Sequence, residues 1–383
     1  MFLDHLTNKK TKGGVVKMKI VDVEVLGLRF PLSESFGTSS TQIGSLVETV
    51  VRVYTDEGVM GIGQADVSPD EVEKLKALVI GEDPLRPEQV WEKLYRTIYH
   101  FSAAMSIRRP PVISAIGAID IALYDIMGKT AGVPVWNLLG GYREKVPAYA
   151  SGGYYREGGV ATLVEELTGY VRDGHYKAVK MKVGKLSLEE DVARVRAARK
   201  ALGDHIEIML DANRAYDVDT AIKAAQLCAP YNIRWFEEPV RWYGNAHDLH
   251  QVAVAIPIPV ASGESEKTVQ NCRDMVAQGG IRILQFDSTT GGGITPWRKA
   301  ALLAEVYNIS MAPHHDAWIH VHTVGAVPNG LILECFPNPE RDPVWAKLYV
   351  DPPVVKNGYM AVPQKPGLGL ELNEDTLRKY AIR

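Results

Sequence analysis

Two lysines in the pentad Val179-Lys180-Met181-Lys182-Val183 flank one apolar residue. In a strand, alternate side chains share a face, so Lys180 and Lys182 point the same way. Two ammonium groups so placed repel, and each lowers the other's pKa, which prepares a lysine to act as a base near neutral pH. Alone, Lys-x-Lys is more often the mark of a solvated edge strand. Ionisable residues then recur along the chain: Asp211 with Asn213, Glu237, Glu264, Asp287, His314 and Glu334. Counted from Lys182 the steps are 29, 26, 27, 23, 27 and 20 residues, each about one βα unit of an eightfold barrel of ~250 residues.

Asp211, Glu237 and Glu264 would be carboxylates on three successive strands. All-oxygen ligation suits a hard octahedral cation such as Mg²⁺, while the lack of Cys-x-x-Cys and of His-rich spacing argues against zinc. Taken singly, each could equally cap a helix or pair with an arginine. Asp287, one unit upstream, could orient and charge His314, although His315, His320 and His322 crowd that region. Glu334 could hydrogen-bond an oxyanion if it stays protonated. A metal between two bases suits a substrate carboxylate whose α-proton is removed, the metal holding the resulting enediolate. Reprotonation from the other face gives a racemase or epimerase. Loss of a β-hydroxyl, assisted by protonated His314, gives a dehydratase.

Such residues need a scaffold that gathers them. Short apolar strands are expected at 146–151, 178–183, 207–213, 234–239, 259–264, 281–287, 310–315 and 331–336, alternating with helical stretches. This pattern predicts a parallel β/α barrel over residues 143–345, with the ionisable residues at the carboxyl ends of its strands. Ser187 and Glu190 fit a capping box that opens one helix. Gly291-Gly292-Gly293 could cradle a phosphate before a helix, but without the Lys-Ser/Thr of a P-loop a plain turn is the simpler reading. Ahead of the barrel, residues 18–142 read as an α+β domain. It has strands from Met18, from Val47 to Tyr54 and from Val59 to Gln64, a polar stretch at 32–45, and helices over 69–79, 87–99 and 112–139.

Composition narrows the class. The 383 residues are 46% hydrophobic, enough for two domains with a substantial core. Net charge is −3, from 43 basic and 46 acidic residues, which favours neither nucleic acid nor an anionic membrane as partner. No stretch reads as a membrane span of ~20 apolar residues. Three scattered cysteines suit a reducing cytoplasm. Residues 1–17 carry lysines without an apolar run behind them and read as a disordered extension.

As an ordered set, Lys180-Met-Lys182, Asp211-Ala-Asn213, Trp235-Phe-Glu-Glu-Pro239, Gly263-Glu264, Asp287 and His314 resemble the enolase superfamily, specifically its mandelate racemase subgroup. Lys or His bases working with Mg²⁺ are a known pairing there. The resemblance spans nearly all of the chain from Met18. It implies a modified (β/α)7β barrel with an N-terminal α+β capping domain, residues 346–383 returning to the cap, and a homo-oligomer. It also implies Mg²⁺ on Asp211, Glu237 and Glu264, and Lys182 as base with Lys180 as its helper. Asp287 and His314 would serve the opposite configuration, Glu334 would bind the substrate carboxylate, and Asn213 would support the metal. Cap segments 33–45 and 63–68 would lend walls to the pocket. Within the subgroup a sugar-acid dehydratase is the expected activity, with a racemase, epimerase or cycloisomerase as the alternative. Asp211-Ala-Asn213 lacks a third-strand histidine, so His314 would have to serve as the acid. Arg156, Arg214 and His315 are further candidates for substrate contact. From another class, the chain could be a barrel that only binds its ligand.

Overall fold

The computed structural model describes residues 17–101, 109–241 and 245–382. The expected extension at 1–17, Lys17 apart, lies outside them. Strands β1 (Ile20–Gly37), β2 (Gln42–Thr55) and β3 (Met60–Ala65) form an antiparallel sheet. Helices α1 (Pro69–Val79), α2 (Pro87–Phe101) and α3 (Arg109–Ala131) follow. The expected loop at 32–45 is mostly strand. Pairing continues to Gly37 opposite Gln42, and Thr38 to Thr41 make the turn. Polarity misled here because this arm finds backbone partners on the barrel. Tyr155 N–H donates to Gly37 O at 3.2 Å, and Ser39 Oγ donates to Asn213 O at 3.2 Å. The cap thereby reaches the barrel mouth.

The helix expected over 112–139 breaks after Ala131. Gly132, at φ +71, and Pro134 interrupt it before the short α4 (Val135–Leu138). Helix α3 also corrects the reading on membrane spans: Pro111–Ala131 is long and apolar enough to cross one, yet 89% of its apolar window is buried within the fold. Its small residues admit close contact. A Cβ on Gly63 would lie 1.9 Å from Ala118 O, so β3 can pack on this helix only with glycine there.

The barrel consists of β4 (Lys145–Ser151), β5 (Ala178–Lys182), β6 (Glu207–Asp211), β7 (Ile233–Glu237), β8 (Val260–Ser262), β9 (Ile283–Leu284), β10 (Ser310–Met311) and β11 (Leu333–Cys335). They are parallel neighbours in that order, with β11 returning to β4 and a Met311–Gly330 bridge completing the ring. Among the described residues seven α-helices connect them: α5 (Gly159–Arg172), α6 (Leu188–Leu202), α7 (Val218–Cys228), α8 (Asn245–Ala255), α9 (Val269–Gln278), α10 (Ile294–Val306) and α11 (Ala317–Ala326). The arrangement is the expected (β/α)7β barrel. The Ser187–Glu190 capping box opens α6. Cys228, Cys272 and Cys335 are buried and unpaired.

Gly291-Gly292-Gly293 holds no cradle for phosphate. Asp120 of α3 occupies the N-terminus of α10, accepting from Thr295 N–H at 2.9 Å and Thr295 Oγ at 2.7 Å. A Cβ on Gly293 would stand 2.2 Å from Asp120 Oδ2, so the glycine makes room for a carboxylate supplied by the cap domain. Burial pushes the Asp120 carboxyl up to about 7 against the Thr295 hydrogen bonds. The chain end returns to the cap: α12 (Pro343–Lys347) and the hairpin β12 (Val355–Lys356) and β13 (Tyr359–Ala361) lead to α13 (Glu374–Tyr380). There Tyr380 stacks on Phe30 at 4.4 Å.

His322 of α11 joins three segments. Its Nδ1 accepts from Trp136 N–H at 3.3 Å, and its Nε2–H donates to Leu368 O at 2.9 Å. Burial lowers its pKa to about 4 against the Leu368 hydrogen bond. Below its ordinary value of 6.5 the unfolded chain takes up a proton that the folded chain refuses. Stability from this group is therefore present above that pH and is lost as pH falls towards 4. The shift corresponds to a loss on the order of 3 kcal/mol. Melting temperatures of wild type and His322→Gln at pH 7.5 and 4.5 are expected to show a smaller acid-induced fall in the variant.

Candidate active site

Strand alternation builds the site in two storeys. Ala178, Met209 and Trp235 belong to the apolar cluster that fills the barrel. Two residues further along the same strands, Lys180, Asp211 and Glu237 are inward, buried and 0% exposed, with Lys182 above Lys180. The next three strands end earlier than expected. Glu264, Asp287 and His314 stand on the chain just beyond the last ladder pairs. At Gly263 (φ +123) the backbone takes a conformation that an L side chain would strain.

Asp211, Glu237 and Glu264 bring one carboxylate oxygen each to within 4.8 Å of one another. Glu264 Oε2 and Asn213 Oδ1 are buried without a hydrogen-bonding partner. Unmatched buried acceptors beside three converging carboxylates fit a hard divalent cation. Asn213, at φ +43, turns its N–H onto Asp211 Oδ1 at 2.8 Å and its side-chain amide onto Oδ2 at 3.2 Å, which orients Asp211. Glu238 takes no part. It pairs with Arg214 at 3.1 Å and accepts from Ser265, so Arg214 is engaged there. Arg156 lines a separate surface groove.

The lysines differ from expectation. Mutual repulsion is not what governs them. Burial would lower Lys180, but Glu237 and Glu334 hold it well above the ordinary lysine value, with Glu334 Oε1 at 2.7 Å. Burial would lower Lys182 as well, yet the ion pair with Asp211 raises it. A divalent cation on the same carboxylates would compete with both lysines for those oxygens. Glu334 is also corrected. Burial would raise it, but Lys180, His314 and Lys182 hold its carboxyl well below the usual range, so it is ionised. Its other oxygen accepts from His315 N–H at 3.1 Å.

His314 Nδ1 lies 3.4 Å from Asp287 Oδ2, and its Nε2 lies 3.8 Å from Glu264 Oε2. Burial opposes charge on His314, but Glu264, Asp287 and Glu334 carry its pKa up to about 10. In the strand order β5 and β10 lie three steps apart on one side and five on the other. Lys182 and His314 therefore face each other across the mouth, with the carboxylates on the strands between. Lys182 and His314 both line a cavity of about 470 Å³ closed by cap residues including Phe36, Leu46 and Glu48. His315 packs on Phe336 at 4.6 Å and pairs with Asp316 at 3.3 Å.

Sequence reasoning placed no role on His320, which ties the dyad together. Its Nδ1–H donates to His315 O at 2.9 Å, leaving Nε2 to accept from Ser288 N–H at 3.1 Å. These are the residues next to His314 and Asp287, so one fully buried ring fixes both strand ends. Its crowded histidine context concealed the signal. His320→Ala is expected to lower kcat about 10²-fold with little change in KM, the scale of an ångström-level misplacement. Its kcat–pH profile is expected to move while Mg²⁺ binding stays intact.

Residues 15–140 match the N-terminal domain of the mandelate racemase/muconate lactonizing enzyme family, and residues 162–376 match the enolase C-terminal domain-like family. This protein belongs to the enolase superfamily, in its mandelate racemase subgroup. It is 33% identical to a 3,6-anhydro-alpha-L-galactonate cycloisomerase of Streptomyces coelicolor over 87% of this chain and 91% of that one. It is 31% identical to an arabinonate dehydratase of Saccharolobus solfataricus over 87% and 90%. A mandelate racemase/muconate lactonizing enzyme from a marine actinobacterium, solved with magnesium, superposes with a TM-score of 0.86. That structure is 32% identical, over 96% of this chain and 100% of its own.

Proposed function

We propose that this protein is a Mg²⁺-dependent acid-sugar dehydratase. Lys182 removes the proton α to the substrate carboxylate, and His314 protonates the departing β-hydroxyl, which leaves as water. The enol that remains gives up its hydroxyl proton as it gains one at the former β-carbon, and becomes a 2-keto-3-deoxy acid. The observation that carries this reading is that Lys182 and the His314–Asp287 dyad line one cavity from strands three steps apart in the ring, with three converging carboxylates on the longer arc between them.

Asp211, Glu237 and Glu264 would hold Mg²⁺, which when bound offsets the negative charge that develops on the substrate carboxylate. Asp211 is the main partner that keeps Lys182 charged. Sharing that carboxylate with a cation, and the neighbouring Lys180, both favour release of the Lys182 proton. His314, 3.4 Å from the Asp287 carboxylate that supports its charged form, is placed as the acid. Glu334, ionised and paired, orients Lys180 towards the substrate carboxylate.

Cycloisomerisation through the same proton abstraction is the second reading, favoured by the similarity to the anhydrogalactonate cycloisomerase. Proton NMR in D₂O with Mg²⁺ and a panel of acid sugars separates the two. A new 2-keto-3-deoxy methylene supports dehydration. A rearranged isomer without loss of water supports the second reading. An α-proton that never exchanges, on any acid that binds, rejects both.

A further inference from the structure

We propose that the cap end of the cavity, built around Glu48, takes the hydroxylated tail of a monocarboxylic sugar acid and turns away a second carboxylate. This rests on the acid-sugar reading and narrows it to monoacids over diacids. Glu48 of β2 is 4% exposed and lines the cavity, yet its Oε1 has no hydrogen-bonding partner. Thr290 Oγ, also on the wall, is likewise buried and unmatched. A buried carboxyl oxygen and, on the same wall, a hydroxyl that both donates and accepts suit alcohol groups, and leaving them unmatched carries a desolvation penalty.

The charges nearby decide what else can enter. Asp66 and Asp316 stand on the same wall. Burial, reinforced by Asp316, Asp66 and Asp287, pushes the Glu48 carboxyl well above its ordinary range. The field that resists a charge on Glu48 acts equally on a second carboxylate placed beside it. The cations on the wall are already engaged: Lys182 with Asp211, His314 with Asp287 and His315 with Asp316. Arg341, behind the wall, is spent on Asp342 at 2.7 Å and Glu166 at 2.9 Å. Lys267 lies off the wall, in the field of Asp287, Asp66, Glu264 and Glu266. Among the described residues, no lining cation is left to receive a distal carboxylate.

The test uses Mg²⁺-loaded full-length protein and matched acids that differ only at the far end: gluconate with glucarate, galactonate with galactarate, mannonate with mannarate. Calorimetric titration measures binding, and α-proton exchange in D₂O is followed in parallel. Each pair that binds is expected to favour the monoacid by roughly tenfold or more. Glu48→Ala is expected to weaken monoacid binding by a similar factor without changing Mg²⁺ affinity, and Glu48→Gln, which keeps the acceptor, to recover most of it. Tighter binding of a diacid than of its monoacid overturns the proposal and points to Lys267. Unchanged monoacid binding in Glu48→Ala overturns it too, as does failure of every acid to bind at millimolar concentration. Monoacid binding without α-proton exchange leaves the specificity standing and rejects the proposed reaction. Exchange with diacids preferred does the reverse.

Discussion

Lys182→Ala is expected to abolish both dehydration and α-proton exchange, lowering turnover by about 10³-fold or more, within the span of a positioned general base. The lysine reaches the cavity from β5, its ammonium held by Asp211 and lying 5.1 Å from the Tyr154 ring. Among the described residues no other amine lines that cavity. His314→Asn separates the two roles. It is expected to lose product formation by a comparable factor but to keep exchange at the α-carbon, because the acid is missing while the base remains. The measurement is proton NMR in D₂O on both variants with one turned-over acid sugar. If Lys182→Ala still exchanges the α-proton at the wild-type rate, the base has been misassigned. If His314→Asn loses exchange and Lys182→Ala keeps it, the two residues trade places.

The second large effect concerns the carboxylate triad. Glu264→Gln is the informative substitution, because Glu264 Oε2 has no hydrogen-bonding partner whereas Asp211 and Glu237 are the counter-ions of buried lysines. Replacing either of those would leave a lysine unpaired in the interior, a destabilisation unrelated to metal. Without Mg²⁺, Glu264→Gln removes one of several repelling carboxylates but also a counter-charge of His314, so each protein is compared with its own metal-free melting temperature. With Mg²⁺ the two diverge. Wild type should gain about 2.7 kcal/mol at a metal concentration of a hundred times Kd, and the variant should gain little. Turnover is expected to fall by roughly 10³-fold, comparable to deleting a group that stabilises charge in the transition state. Chelation should silence wild type reversibly. Equal Mg²⁺-induced stabilisation of the two proteins would falsify the assignment of Glu264 as a ligand.

Which residues could act, and in which order around a ring, was written in the sequence. Strand alternation alone puts Lys180 and Lys182 on one face, and the interval of one βα unit puts Asp211, Glu237, Glu264, Asp287 and His314 at one end of a barrel. Local rules of this kind depend only on backbone periodicity and short-range connectivity. They reached the capping box at Ser187 and the barrel strands for the same reason.

Charge states depended on tertiary structure. Lys-x-Lys suggests two ammonium groups that depress one another, but carboxylates from β6, β7 and β11 converge on them and reverse the sign. Glu334 is ionised because Lys180, far away in sequence, lies against it. The polar arm on either side of the Thr38–Thr41 turn became strand because β1 and β2 pair there and the barrel braces the tip at Tyr155 and Asn213, and the triple glycine served Asp120 from a helix in the other domain. Glu48 sits in an apolar run, Leu46-Val47-Glu48-Thr49-Val50, where a buried acid is the anomaly that marks a function. Only the folded cavity shows what it faces. Coulomb interactions and desolvation are set by distances between residues hundreds of positions apart, and those distances exist only once the cap has closed over the barrel.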